Sequence, residues 1–472
     1  MTSTIRALAE VILQNIDALE ADCARRGVEA PSMKEPFKPG SEFSLNDADV
    51  QKASTVIVAA AQQLINTVQP PQVNLVMTAY STTLAGAIRV AAEFHIADIL
   101  SEAGPAGLHV KDICSICKAD PVKIGQVLRF LASAWIFQEV KPDVYSNNRN
   151  SSIMVKGLSV KELHESPETK YSKPEGSTAA LLGIIGDETI KGASYLYETL
   201  SDPKTAFSGE ANEAPLCKAL NTDLSCWQLY EQPEQQERQH RFGVAMQGIS
   251  RLEPIEVTTK GFDWSGLKKD AVVVDVGGGI GSFSLALAKE HPQVKFVVQD
   301  RGPVVEDGLE RAKVFFPEGV DSGRLSFQEH NFFESEPIKN ADVYMLKFII
   351  HDWSNKYSHI ILKRLREAAA PHSRLIIVDK IIPYICPPSE VNEDVSVPGV
   401  WKPELPEPIV NMSGGIIYPH LSSVVMMLWC NGQERTIGDF NELLAEAGWK
   451  LEQVHQHDAF GQNSSQIIAV PI

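Results

Sequence analysis

The chain has 472 residues, ample for two or three domains, and 44% of them are hydrophobic, an ordinary share for a water-soluble globular protein. Sixty acidic side chains against 43 lysines and arginines leave a net charge of −17, which argues against nucleic acid or an anionic membrane surface as the main partner. No uninterrupted apolar run of the roughly 18 residues a membrane span needs stands out, and seven scattered cysteines fit a reducing, cytoplasmic setting.

Residues 1–70 read as a helical extension. Ile5, Leu8, Val11, Ile12, Ile16 and Leu19 recur on one helical face, in a segment too acidic for a signal peptide. A polar loop from Pro31 to Ser44 follows. Asn46 is the expected cap of a second helix carrying Val56, Ile57, Ala60 and Leu64, which Pro70 and Pro71 end.

Residues 71–152 are short helices that close in a hairpin. LAGAIRVAAEFHIADIL is one helix, and the next unit reads helix, turn, helix and two short strands, a winged-helix arrangement. Its second helix, Pro121 to Ala134, offers Lys123, Gln126 and Arg129 but no basic cluster, so a dimerisation or lid role is expected in place of DNA binding. Cys114 and Cys117 form a CxxC with no second pair to complete a zinc site, and no metal is expected.

Residues 153–250 read as a helical linker with an exposed loop from His164 to Glu175. Trp227, and the Phe242 and Met246 of a helix at Gln232 to Arg251, are candidates to line a substrate pocket. From residue 251 to 472 strands and helices alternate, the pattern of a doubly wound, Rossmann-like α/β domain. Strands are expected at Val272–Val274, Lys295–Val298, Leu325–Glu329, Ala341–Lys347, Arg374–Val378, Val454–His457 and Gln466–Val470. Helices are expected at Ser282–Lys289, Ile361–Ala370, Ser422–Trp429 and Phe440–Ala447. The Pro-rich, acidic stretch Pro383 to Gly415 reads as a surface loop.

The chemistry concentrates in VVVDVGGGIGSFSLALAKEHPQVKFVVQD, Val272 to Asp300. A buried strand closes at Asp275. Gly277, Gly278, Gly279 and Gly281 make an unobstructed turn, a helix follows, and a second strand ends at Asp300. An acid at that position can accept hydrogen bonds from both hydroxyls of a ribose. The acid before the turn suits a cationic ligand without phosphates, and S-adenosylmethionine, with its ammonium and sulfonium, is such a ligand. Further on, KFIIHDWSN places His351 just beyond a strand, on the edge of the sheet that carries the glycine turn. Histidine is the side chain best suited to take a proton near neutral pH, and a carboxylate that orients its ring improves it. Glu434 and Asp379 are the candidates for that acid.

Together these segments resemble the plant-and-fungal type of S-adenosylmethionine-dependent O-methyltransferases, over roughly residues 70 to 470. The carriers are LAGAIRVAAEFHIADIL, the winged-helix region, DVGGGIGSFSLALAKEHPQVKFVVQD, NFFES, LKFIIHDWSN, and NGQERT with GDFNELLAEAGW. By position the resemblance implies that Gly277, Gly279 and Gly281 line the donor, Asp300 binds its ribose, Asn331 and Phe332 flank the adenine, and Lys347 lies at the donor site. It also implies that His351 is the general base, held by Glu434 and Asp379, and that the helical N-terminal domain builds a homodimer. Asn331 stands where the family usually has Asp, and Asp379 where it usually has Glu. The expected function is methylation of a hydroxyl, a phenol in the first instance, on a small secondary metabolite. Met426 and Met427 join Trp227, Phe242 and Met246 around that acceptor. A methyltransferase-fold pericyclase or dehydratase acting on a polyketide-like substrate is the alternative.

Overall fold

Two antiparallel helices open the chain, Thr4–Arg26 and Ala48–Val68, and bury Leu8 and Val11 of one with Val50, Val56 and Ala60 of the other. Gly27, at φ 66°, ends the first helix in the left-handed conformation that glycine adopts without strain. Asp47 caps the second by accepting from the backbone N–H groups of Asp49 and Val50, while Asn46, the expected cap, lies outside the described residues. The computed structural model describes residues 3–44, 47–253, 255–386, 390, 397–400, 405–411, 413–457 and 463–472. They fall into two units: residues 1–201, 215–252 and 406–409 form the first, and residues 202–214, 253–405 and 410–472 the second.

In the first unit, β1 (Leu108–His109), β2 (Gln138–Lys141) and β3 (Val144–Ser146) make an antiparallel sheet of order β1-β3-β2. With the helices Val110–Cys117 and Pro121–Ser133 they complete a winged helix around Ile96, Ile99, Leu100, Ile113, Leu128, Leu131 and Tyr145. The two-residue strand β1 is an addition to the expected pattern, too short to show in hydrophobic periodicity. By length and composition Pro71–Glu93 is apolar enough to cross a membrane, although Gln72, Asn74 and Arg89 interrupt it, so no uninterrupted apolar run of that length is present. The helix is interrupted at Tyr80, and its second half buries Ala87 and Ala91 in the winged-helix core.

The stretch 164–175 is not simply an exposed loop. A capping box between Ser159 and Glu162 starts the helix Val160–Glu165, and Lys170 and Tyr171 are buried. Beyond it, a π-helical turn at Ile185–Thr189 interrupts the helical run and buries Asp187 and Glu188. Arg241, from the helix Gln236–Leu252, answers both carboxylates at 3.2 and 2.6 Å.

The second unit is a seven-stranded sheet. Its strands are β4 (Ala271–Val276), β5 (Val294–Asp300), β6 (Leu325–Glu329), β7 (Val343–Lys347), β8 (Arg374–Asp379), β9 (Trp449–His455) and β10 (Ser465–Pro471), in the order β6-β5-β4-β7-β8-β10-β9. The first five are parallel, and β10 and β9 close the edge antiparallel. Strands buried on both faces need apolar side chains pointing both ways, which is why β4 and β8 read as continuous β-branched and leucine runs. One face packs Leu287, Ala288, Ala312 and Trp264; the other packs Ile361, Leu362, Leu365, Phe440 and Leu444. Chain order reverses beside β4, and that reversal opens a crevice at the carboxyl ends of β4 and its neighbours.

Boundaries differ from expectation where amphipathic signals are weak. The helix Gly302–Phe315 was not expected, Ser413–Cys430 is longer than its predicted core, and β9 begins at Trp449. Of the stretch Pro383–Gly415, much lies outside the described residues. The described part is not all surface: Val397 and Val400 pack on the second unit's core, Pro398 accepts a hydrogen bond from the Val454 N–H, and Ile409 is buried in the first unit.

Candidate active site

The carboxyl ends of β4, β5, β6 and β7 carry the residues singled out above. Past β4 the chain turns through Gly277, Gly279 and Gly281, at φ 70°, 58° and 72°. At Gly277 a Cβ would collide with the side chain of Ile349, and at Gly281 it would press on the ring of Phe327 at 3.0 Å. At Gly279 it would meet nothing within 4 Å, so there the backbone faces open space. The Gly279 N–H donates to one carboxylate oxygen of Asp300 at 2.8 Å, and the Arg301 N–H donates to the other. The acid is thus drawn to the turn, half-exposed, with lone pairs left for further donors. An open glycine backbone beside an oriented carboxylate fits a nucleoside ligand.

Asp275 departs from the expected donor-facing position. It is 1% exposed beneath the turn, accepts from the Ser284 hydroxyl at 2.6 Å, and is pushed up by burial to about 6. It braces the turn against the helix Ser282–Glu290. Lys347, at the end of β7, pairs with Glu253 at 3.3 Å and lies 3.9 Å from the centroid of the Phe348 ring; burial lowers its pKa although Glu253 opposes the shift. Phe332 packs edge-on against Phe333 and Trp353, and its ring comes within 3.7 Å of where a Cβ on Gly277 would sit. Asn331, in the loop after β6, is exposed.

His351 sits in a single 3-10 turn, Ile350–Asp352, that follows β7. Its Nδ1 lies 3.0 Å from Glu434, whose side chain is fully buried, and its Nε2 lies 3.6 Å from Asp352. Glu434 also accepts from the Ser422 hydroxyl at 2.7 Å. Burial alone would raise the Glu434 pKa, but His351 and Ser422 outweigh it and hold the group ionised. An ionised carboxylate only accepts, so Nδ1 carries the proton and Nε2 is the nitrogen left to exchange one. Burial works against a charge on His351, yet Glu434, Asp352 and Asp379 together push its pKa up to about 10. Asp352 is itself raised by burial to about 6.

Asp379 does not hold the ring as a second hydrogen-bonded acid. It is fully buried at the end of β8, neither oxygen has a hydrogen-bond partner among the described residues, and burial raises it to about 7. Its influence on His351 is through charge alone.

Three supports were not singled out in the sequence. Arg435, 1% exposed, donates to the carbonyls of Ile350 and Trp353 and to the side chains of Asn355 and Ser358, fixing the turn on which His351 stands. Gly432 lets the backbone before Glu434 lie against that turn, since a Cβ there would strike the His351 carbonyl oxygen, which also accepts from the Gln433 N–H. Ser422 is the third. Met426 and Met427, both half-buried, lie one turn further along its helix. In the other unit Trp227 and Phe242 meet edge to face at 5.8 Å, with half-buried Met246 one turn beyond Phe242.

Comparison with known proteins decides the family. Residues 204–395 match the O-methyltransferase domain and residues 78–157 the O-methyltransferase dimerisation domain. An O-methyltransferase of Armillaria gallica is 35% identical over the whole of both chains. This chain belongs to the O-methyltransferase family. A second O-methyltransferase, 4-O-methyltransferase 1 of Phanerochaete chrysosporium, is 34% identical over the whole of both chains. A solved structure described as a pericyclic reaction enzyme aligns with a TM-score of 0.65 at 18% identity, covering 89% of this chain and 94% of the other. That likeness shows the fold, which therefore serves more than one chemistry. With the family comes the methyl donor, S-adenosylmethionine, and the open turn at Gly279 beside Asp300 fits it.

Proposed function

We propose that this O-methyltransferase methylates a phenolic hydroxyl of a small secondary metabolite, with His351 as general base. The observation that carries the reading is the Glu434 contact to Nδ1 at 3.0 Å, which fixes the tautomer and frees Nε2 for the acceptor's proton. A phenol with a pKa of about 10 is a weak nucleophile until that proton leaves. The bound donor supplies an electrophilic methyl group. In its neutral form, a fraction that grows as pH rises toward the raised pKa, His351 takes the hydroxyl proton on Nε2 as the phenolic oxygen bonds to the methyl carbon, and the electrons of the breaking carbon–sulfur bond stay on sulfur. Three carboxylates around the ring stabilise the imidazolium that results. Asp300 would hold the ribose, and Lys347 and Phe332 would flank the donor. Met426 and Met427 are proposed to line the acceptor. Relatives named as O-methyltransferases in two fungi support a secondary-metabolite acceptor, and the matched dimerisation domain supports a homodimer.

Incubation with S-adenosylmethionine and a panel of phenols, read by mass spectrometry, tests this. A product heavier by one methyl group is expected. A rearranged or dehydrated product of unchanged methyl count would transfer the assignment to the pericyclase or dehydratase alternative.

A further inference from the structure

The loop after β6 presents a side chain whose polarity is already decided. The Phe333 N–H donates to the Asn331 side-chain oxygen at 3.1 Å. Turning the amide over would set its N–H2 against that N–H, donor against donor, so this contact fixes which end faces the loop. The oxygen is engaged, and the N–H2 of Asn331, at an exposed position, has no partner among the described residues. An Asp here would behave in the opposite way. One oxygen would satisfy Phe333 and the other would remain an acceptor.

Which part of the ligand meets this N–H2 follows from the order of the strands. His351 follows β7, the glycine turn follows β4, Asp300 ends β5, and Asn331 follows β6, in the spatial order β6-β5-β4-β7. The loop beyond β6 is tied to the ribose acid, since the His330 N–H donates to the Asp300 carbonyl. A nucleoside whose ribose sits on Asp300, and whose reactive end reaches toward His351, extends its base the other way, over β6 and Asn331.

We propose that Asn331 reads the base of the methyl donor as a hydrogen-bond donor, facing a ring nitrogen of the adenine and not its exocyclic amine. This rests on the proposed donor site. It makes the amine dispensable for affinity and the ring-nitrogen lone pair the recognised feature. Asn331→Asp should reverse the preference, because a carboxylate oxygen repels the lone pair and accepts from the amine.

The test is calorimetric. S-adenosylhomocysteine and its analogue lacking the 6-amino group are titrated into the wild-type protein and Asn331→Asp, a substitution that keeps the Phe333 contact and the side-chain volume. Wild type should bind the two ligands within about twofold, and Asn331→Asp should favour the amino compound by about tenfold, the worth of one charge-assisted hydrogen bond. A wild-type protein that loses about tenfold without the amine, or a variant that treats both ligands alike, overturns the proposal. Failure of S-adenosylhomocysteine itself to bind the wild type would instead remove the donor site on which it rests.

Discussion

Replacing Glu434 by Gln keeps the shape of the contact to His351 and removes its charge. The rise of the His351 pKa from 6.5 to about 10 corresponds to roughly 5 kcal/mol in favour of the charged ring. Burial opposes that rise, and the Glu434 charge is the largest of the contributions that produce it. Without it, burial competes only with Asp352 and Asp379, which are themselves raised to about 6 and about 7 and are less fully ionised near neutrality. The His351 pKa should then fall by two units or more, roughly 3 kcal/mol. A histidine raised above its unfolded value stabilises fully below about 6.5, and the contribution is lost as pH rises through about 10. The assay is an NMR titration of labelled histidine, with the His351 resonance assigned by its absence in His351→Asn. In wild type the ring should titrate well above 6.5, with the neutral fraction that can take the acceptor's proton growing as pH rises, and in Glu434→Gln it should titrate about two units lower. A wild-type His351 that titrates near 6.5, or a variant that titrates where wild type does, would refute the electrostatic cage.

Two further outcomes follow from the same geometry. Asp379→Asn should stabilise the fold, by an amount that grows from about pH 4 to pH 7 and is constant above. The buried, unpaired carboxyl has a folded pKa of about 7 against 3.8 unfolded, so its ionisation costs the native state roughly 4 kcal/mol at the plateau; thermal melts across that range check it, and a pH-independent difference would contradict it. Gly279→Ala places a methyl group in the open cradle at φ 58°. It should cost about 1–2 kcal/mol of stability from the left-handed backbone while weakening S-adenosylhomocysteine binding at least tenfold by calorimetry. Unchanged affinity would remove Gly279 from the donor site.

The residues legible in the sequence are those whose chemistry and local pattern agree. The β-branched run before Gly277 could be little but a buried strand, and Asp300 closes the next strand within the same short unit, so turn and acid emerged together. His351 was legible because it lies just beyond a strand on the same edge. The partner of His351 was harder. Glu434 and Asp379 were equally plausible acids in the sequence, and only packing separates them: the close approach at Gly432 brings Glu434 to the ring, whereas Asp379 is buried without a donor in reach. Arg435 was invisible for a related reason. A charged side chain in a polar loop reads as surface, and here it is the buried tie that holds four groups of the turn beneath His351. Asp275 misled in the opposite sense, because strand position does not say which face of a turn a side chain takes, and it lies under the glycines. The π-helical turn at Ile185 carries two buried acids whose partner, Arg241, is more than 50 residues away, a separation no local pattern reports.

The most direct measurement compares His351→Ala with wild type, taking turnover of a phenolic acceptor and calorimetric affinity for S-adenosylhomocysteine on the same preparations. Turnover should fall by a factor of about 100 or more while donor affinity stays within about threefold, because the imidazole stands beyond β7 and the ribose acid ends β5. Full turnover in the variant would contradict proton removal by His351.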